Sequence, residues 1–226
     1  MTLRWLHLRL AAPLVAFGDV AIDQVGPTRD FPSASALTGL FANALGLRRE
    51  DGETHRALQG RLVFGAVIAH HGHLVTDTQN AKLEADDRGW TTWGRPDTRA
   101  GASYGTPHRR RRDHLADHDC RVVLRLAEPP PDTAPGPDLD ALAAALDRPA
   151  RPLFIGRKPC LPATRLFAGW VEGATVRAAL AALGITGRAS WPADEGGGTV
   201  VDVADLRNWR TGLHGGSRRI AEGDLP

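Results

Sequence analysis

The 226-residue sequence has two cysteines, a single tyrosine and almost no net charge. Cys120 and Cys160 form no Cys-x-x-Cys pair, so the sequence predicts neither a disulfide framework nor a zinc finger. Charged residues interrupt the apolar run at the N-terminus at once. We therefore expect a cytoplasmic protein with no signal peptide and no membrane partner. The Gly-Lys-Ser/Thr phosphate loop is missing as well, and no cofactor is expected.

Arginine, by contrast, is abundant and supplies nearly all of the 28 basic side chains. Its guanidinium suits bidentate contacts with phosphate, but a GC-rich genome explains the same abundance equally well. The formal net charge is only +2, so any polyanion site has to be a local patch. The 42% of hydrophobic residues suffices for one domain, or for one domain with a small second unit.

Apolar runs predict four strands, and apolar residues at helical spacing predict two helices between them. The strands cover residues 3–10, 61–69, 120–127 and 166–171, and the helices cover residues 34–46 and 139–147. Ser33 and Asp138 stand where N-caps are expected. The order β-α-β-β-α-β indicates an α+β, ferredoxin-like domain over residues 1–172. Residues 173–226 form a small C-terminal α+β extension, with a helix at 175–183 and a strand at 199–204.

A long insertion, at about residues 76–112, separates the second and third predicted strands and has little apolar periodicity. Segments of this size are usually functional or disordered, so we expect a projecting arm, or thumb. It ends in the run Arg109, Arg110, Arg111 and Arg112, the densest positive charge in the sequence. The run indicates contact with nucleic acid, although such runs are often simply solvated.

Two further features favour an anionic ligand. In the segment Phe154-Ile-Gly-Arg-Lys-Pro-Cys160, Gly156 permits a close backbone approach, and Arg157 and Lys158 follow on a short loop that Pro159 stiffens. The predicted helix start at Ser33 offers free N–H groups and a partial positive charge, with Arg29 just upstream. An ordinary basic loop and plain helix capping are the alternatives.

Other functions are supported less well. The cluster His70-His71-Gly72-His73 lacks the second Cys/His cluster that a structural zinc site needs, so no metal site is expected. RNA cleavage needs a base and an acid close together. The side chains able to act so are His7, His55, Tyr104 and His114, but the sequence does not bring any two of them together.

Four blocks of the sequence resemble a known family. They are residues 8–18, residues 26–40 with 44–47, residues 112–117 and residues 154–160, with a weaker match at 207–209 and 215–216. In this order and spacing the chain resembles the CasD family of the RAMP superfamily. That family supplies the subunit of the type I-E CRISPR Cascade complex that binds the 5′ handle of the crRNA. The second and fourth blocks are the most specific.

The resemblance implies a non-catalytic RNA-binding subunit that holds the crRNA 5′ handle and sends its thumb against a neighbouring backbone subunit. Backbone and large Cascade subunits are then the expected partners, with target DNA nearby. The charged patches and the resemblance together predict these RNA-binding residues: Arg29, Pro32, Ser33, Ser35, Arg109, Arg110, Arg111, Arg112, His114, Gly156, Arg157 and Lys158. The alternative is a metal-independent endoribonuclease that processes precursor crRNA, as related subunits do in a sister subtype.

Two positions depart from the family pattern. The family often has an arginine where this chain has Gly26, and Arg29 is the nearest substitute. Where this chain has His114, the family often has an aromatic residue that can stack on a base.

Overall fold

The computed structural model describes residues 2–21, 23–82, 107–131 and 136–226. These residues form one nine-stranded sheet with four α-helices, which confirms the α+β class. The strands are β1 (Leu3–Val15), β2 (Val25–Gly26), β3 (Leu62–His70), β4 (His73–Ala81), β5 (His108–Leu126), β6 (Phe167–Gly173), β7 (Gly187–Pro192), β8 (Thr199–Arg207) and β9 (His214–Leu225). The helices are α1 (Ala34–Ala44), α2 (Gly52–Arg61), α3 (Leu139–Asp147) and α4 (Val176–Ala181).

The main path of the sheet runs β6-β1-β5-β3-β7-β9-β8, and every pair along it is antiparallel. The four strands predicted in the first domain are β1, β3, the end of β5 and β6, and they are neighbours in the order β6-β1-β5-β3. β5 lies at the centre of this group because it pairs with both β1 and β3.

Alternation along β1 divides the core between the two faces of the sheet. Leu6 and Leu8 point to the face where α1 and α3 supply Phe41 and Leu142. Trp5 points to the opposite face and packs with residues of α4, including Leu180. It is 1% exposed, and its Nε1–H donates to Gly173 O at 2.9 Å. Helices therefore cover both faces at the centre of the sheet.

The arm is in part a β-hairpin, as the family resemblance implied, although the residue pattern did not predict its strands. β4 pairs with the first half of β5 from His73 opposite Ala116 to Ala81 opposite His108. Both strands are polar here, so no apolar alternation marked them. The third strand accordingly begins at His108 instead of residue 120. Trp90, Trp93 and Tyr104 lie outside the described residues.

Residues 173–226 continue the same sheet. β7 pairs with β3 at Ala66 opposite Ser190, and β9 joins β7 to β8. Within these residues, α4 and β8 lie where a helix and a strand were predicted, whereas β7 and β9 were not predicted. Earlier in the chain, α2 was not predicted either. That these residues form a separate unit stays a prediction. Among the described residues, no helix has the length and apolar character needed to span a membrane.

Candidate nucleic-acid interface

The start of α1 already holds a carboxylate. Ser33 caps the helix by accepting the N–H of Ala36 at 3.0 Å, and its hydroxyl donates to Phe17 O at 2.8 Å. The N–H of Ala34 donates to Asp205 Oδ2 at 2.9 Å. Asp205 comes from β8, so the anion expected at this helix start is supplied by the chain itself.

Asp205 is also bound to a cation from the C-terminal strands. Its Oδ2 lies 2.8 Å from Nε of Arg218, and the residue is only 4% exposed. Arg29, predicted to contact RNA, forms an ion pair with Asp19. Pro32 and Ser33 are buried, and Ser35 is partly buried with its hydroxyl 3.1 Å from that of Ser33. Arg29, Ser33 and Ser35 therefore already have partners within the protein. Sequence reasoning did not identify Asp205 as a residue of this region.

The basic loop at residues 154–160 is a closed turn fastened to the end of β1. Ile155 N–H donates to Cys160 O at 2.7 Å, and Ala16 N–H donates to Ile155 O at 3.2 Å. Gly156 has φ of +86°, and a Cβ there would lie 1.6 Å from Ala16 O. The close approach that requires glycine is thus made to the protein's own backbone.

Arg157 links this loop to two other segments. Its guanidinium donates to Asp113 O at 2.6 Å, to Gly26 O at 2.7 Å and to Pro27 O at 3.3 Å. Burial and the neighbouring Arg112 lower the pKa of Arg157. Lys158, the next residue, is exposed and makes no hydrogen bond or ion pair with the described residues. Arg157 holds the loop in place, and Lys158 is free to meet a ligand.

Arg112 and Arg157 meet at Gly26. A Cβ on Gly26 would lie 2.7 Å from Nη1 of Arg112 and 3.0 Å from Nη2 of Arg157. No described carboxylate forms an ion pair with either guanidinium; Asp77, opposite Arg112 on β4, accepts instead from Gln79. We call Arg112 and Arg157 beside Gly26 the arginine corner. Two uncompensated cations this close favour a bound anion.

The arginine run lies along β5 and leads into this corner. Alternation places Arg110 and Arg112 on one face of the strand and Arg109 and Arg111 on the other. Arg109, Arg110 and Arg111 are exposed, and Nη1 of Arg110 donates to Asp23 O at 3.3 Å. The structure thus brings the run and the basic loop together at Arg112, although 45 residues separate Arg112 from Arg157.

His114 lies beneath the corner, on the same face of β5. It is 4% exposed, and its Nδ1 lies 3.1 Å from Arg112 O. Burial and the charge of Arg157 lower the pKa of His114. Its ring is therefore packed inside the protein and offers no open surface for stacking on a base.

A buried histidine that was not predicted supports this region. His118 is 1% exposed; its Nδ1 accepts the N–H of Gly72 at 3.3 Å, and its Nε2 donates to Asp30 O at 3.0 Å. It joins the turn between β3 and β4 to the segment before α1. Burial lowers the pKa of His118. Within the part of the chain that the structure describes, His70, His71 and His73 belong to no cluster able to hold a metal ion.

Comparison with known proteins decides the family. A model of the family described as CRISPR-associated protein (Cas_Cas5) matches residues 5–221. The chain belongs to the Cas5 family. A curated relative, the CRISPR system Cascade subunit CasD of Escherichia coli (strain K12), is 27% identical over 176 residues, which are 78% of this chain and 75% of that protein.

Solved structures show that this Cas5 protein shares its fold with proteins of CRISPR systems. A chain of a structure described as "CRISPR RNA-guided surveillance complex" superposes with a TM-score of 0.69 at 20% identity, over 98% of this chain and 90% of the other. A second, described as "Crystal structure of Cas protein", gives 0.61 at 22% identity, over 98% and 95%. The family resemblance inferred from the sequence is therefore confirmed.

Proposed function

We propose that this Cas5 protein is a subunit of a Cascade surveillance complex and holds the 5′ handle of the crRNA at the arginine corner without cutting it. The observation that carries the proposal is the meeting of Arg112 and Arg157 at Gly26, with no described carboxylate to neutralise them. A phosphate of a single-stranded RNA is the anion that such a pair suits best.

Membership of a complex is supported by the relatives and by the arm. The E. coli relative is named as a Cascade subunit, and the first solved structure is described as a surveillance complex. On the arm, Leu74 is 61% exposed and Val75 is 37% exposed. Apolar side chains on a projecting hairpin suit contact with another subunit. Backbone and large Cascade subunits are the proposed partners, with target DNA nearby.

We propose that the core is ferredoxin-like, because its four antiparallel strands lie side by side in the order β6-β1-β5-β3, which is the strand order of that fold. RNA-recognition modules of this topology stack bases on an open sheet face. Here α4 covers Trp5, and α1 and α3 cover the other side. The RNA therefore lies against the arginine corner and the base of the arm, outside the sheet faces.

Each cation then has a distinct role. Arg112 and Lys158 contact phosphates, because neither has a carboxylate partner among the described residues. Arg110 extends the same row toward the tip of the arm. Arg157 is held by three carbonyl oxygens, so it positions the loop and adds charge behind the phosphate. Charge-assisted bonds of the Arg112 kind are roughly twice as strong as neutral ones.

Binding without cleavage is supported by where three of the candidate acids and bases lie, namely His7, His55 and His114. His114 is packed beside Arg157, His7 lies near Arg121 and Asp119, and His55 stacks on Trp209. These three places share no neighbouring residue. An acid and a base for RNA cleavage must both reach the same phosphodiester. Tyr104 lies outside the described residues.

The test is a binding titration with a labelled repeat-containing precursor RNA at several salt concentrations, with chelator present. Arg112→Gln with Lys158→Gln should weaken binding and lower the log–log salt slope by roughly 0.7 for each lost phosphate contact. Arg148→Gln with Arg219→Gln is the matched control, because both residues are exposed and make no ion pair with the described residues. Equal slopes in the two variants would overturn the site.

The same reactions, run on a denaturing gel, test catalysis. We expect the RNA to stay intact. Site-specific cleavage that disappears in His114→Ala or His7→Ala would show instead a metal-independent endoribonuclease.

A further inference from the structure

A second pair of arginines meets at Gly212, in the turn between β8 and β9. The position that a Cβ on Gly212 would take lies 3.2 Å from Nη2 of Arg207 and 4.0 Å from Nη2 of Arg49. Neither guanidinium forms an ion pair with a carboxylate of the described residues. Nine of the other 21 described arginines do, namely Arg4, Arg9, Arg29, Arg48, Arg56, Arg121, Arg165, Arg188 and Arg218.

The backbone of Arg207 is fixed by one side chain of α2. Gln59 accepts the N–H of Arg207 through Oε1 and donates from Nε2 to Arg207 O, each at 3.1 Å. The same Oε1 accepts the indole N–H of Trp209 at 3.1 Å. Gln59 therefore holds both Arg207 and Trp209 against the helix.

The side chain of Arg207 is held by the indole. Its guanidinium lies 5.3 Å from the ring centroid of Trp209, whose ring stacks on His55 at 4.7 Å. Burial and the neighbouring Arg49 lower the pKa of Arg207. A guanidinium that is oriented in advance loses less entropy when an anion binds.

The geometry points to a phosphodiester group as the ligand of Arg49 and Arg207, and we propose that this pair is a second contact site for a nucleic-acid backbone. Two adjacent cations at a glycine repeat the arrangement of the arginine corner. Of the pair, Arg207 lines a groove of about 390 Å³ that reaches Ser35 at the start of α1. The two carboxylates of the groove, Asp19 and Asp205, are each paired with an arginine, Arg29 and Arg218. A strand that follows this groove brings successive phosphates to the pair.

The test uses the full-length protein and two labelled probes, an oligoadenylate and a duplex DNA of random sequence. In Arg49→Gln with Arg207→Gln the log–log salt slope should fall by roughly 0.7 per lost contact on the single strand, and by roughly 0.9 on duplex DNA. A loss on one probe but not on the other identifies the kind of strand bound. Arg148→Gln with Arg219→Gln removes the same charge and should leave both slopes unchanged. Equal losses in the two variants, or no loss on either probe, would overturn the proposal.

Two further experiments distinguish this site from the proposed handle-binding site at the arginine corner. In protein that already carries Arg112→Gln and Lys158→Gln, the Arg49 and Arg207 changes should lower the slope again by a similar amount; no further loss would mean that there is no second site. Arg49→Gln alone, on an exposed loop, should give about half the loss and guards against misfolding at Trp209. If the Arg112→Gln, Lys158→Gln variant binds RNA like wild type while the Arg49→Gln, Arg207→Gln variant binds more weakly, the handle proposal is refuted. The proposal for Arg49 and Arg207 is then unaffected.

Discussion

The carboxylate of Asp205 on β8 accepts the backbone N–H of Ala34 at the start of α1, 171 positions earlier in the chain. The same oxygen holds Nε of Arg218. This contact joins the C-terminal strands to the helix start where an RNA phosphate had been expected, and it makes the helix start a structural junction.

Asp205→Ala should therefore destabilise the protein strongly. It leaves Arg218 without its partner and Ala34 N–H without an acceptor, and breaking a buried ion pair costs about 3–5 kcal/mol. Asp202→Ala is the control, because Asp202 is exposed on the same strand and should have little effect. Denaturant unfolding measures both free energies; similar losses in the two variants would contradict the junction.

Gly156→Ala should destabilise the protein by clearly more than the roughly 1–2 kcal/mol of a left-handed alanine, because its Cβ would also overlap Ala16 O. Gly184→Ala is the matched control, since Gly184 has φ of +65° with nothing within 4 Å of the Cβ position. It should show only the cost of a left-handed alanine, about 1–2 kcal/mol. Thermal unfolding distinguishes the two, and equal losses would mean that the contact with β1 is unimportant.

Stability should fall as pH drops below about 6.5, in part because of His118. Its pKa is lowered in the folded state, so the unfolded chain binds the proton first. The stabilisation is complete above the pKa that His118 has in the unfolded chain, and it is lost as the pH falls toward the pKa that His118 has in the folded protein. Protonating Nδ1 would also remove the acceptor of Gly72 N–H.

His118→Gln tests this assignment, because the amide keeps a donor and an acceptor but does not titrate. The variant should lose less stability than wild type between pH 7.5 and pH 5, by at most about 1.4 kcal/mol per pH unit. His7 and His114 also have lowered pKa values and remain in both proteins, so they cancel in the comparison. If wild type and His118→Gln lose the same stability as the pH falls, other groups cause the pH dependence.

Local signals predicted the apolar elements well. α3 occupies residues 139–147 as predicted, because Asp138 caps it and Leu142 and Leu146 form a buried face. β4 was missed because nearly all of its side chains are exposed, and the first half of β5 because an arginine run resembles a solvated loop. Pairing between the two strands, which no local pattern records, makes them a hairpin.

The candidate site was predicted in its parts but not in its arrangement. The sequence marked Arg112 and Arg157 separately, and it marked Gly26 only as a departure from the family. Their meeting depends on β2 lying beside β5, a pairing of two residues that carries no sequence signal. Asp205 was not predicted because its role depends on a contact with Ala34 across the whole chain.

The pairing register of β5 determines which face of the strand Arg110 and Arg112 occupy. Leu115 pairs with Val15 and Val122 with Leu8 on β1, so β5 runs from the arginine run into the buried sheet, with one irregularity at Asp117, whose φ is +54°. A slip by a single residue would turn Val122 and Leu124 out of the core and reverse the faces of Arg110 and Arg112 together. The packing of Val122 and Leu124 in the core therefore determines which way Arg110 and Arg112 face, although neither apolar residue lies at the arginine corner.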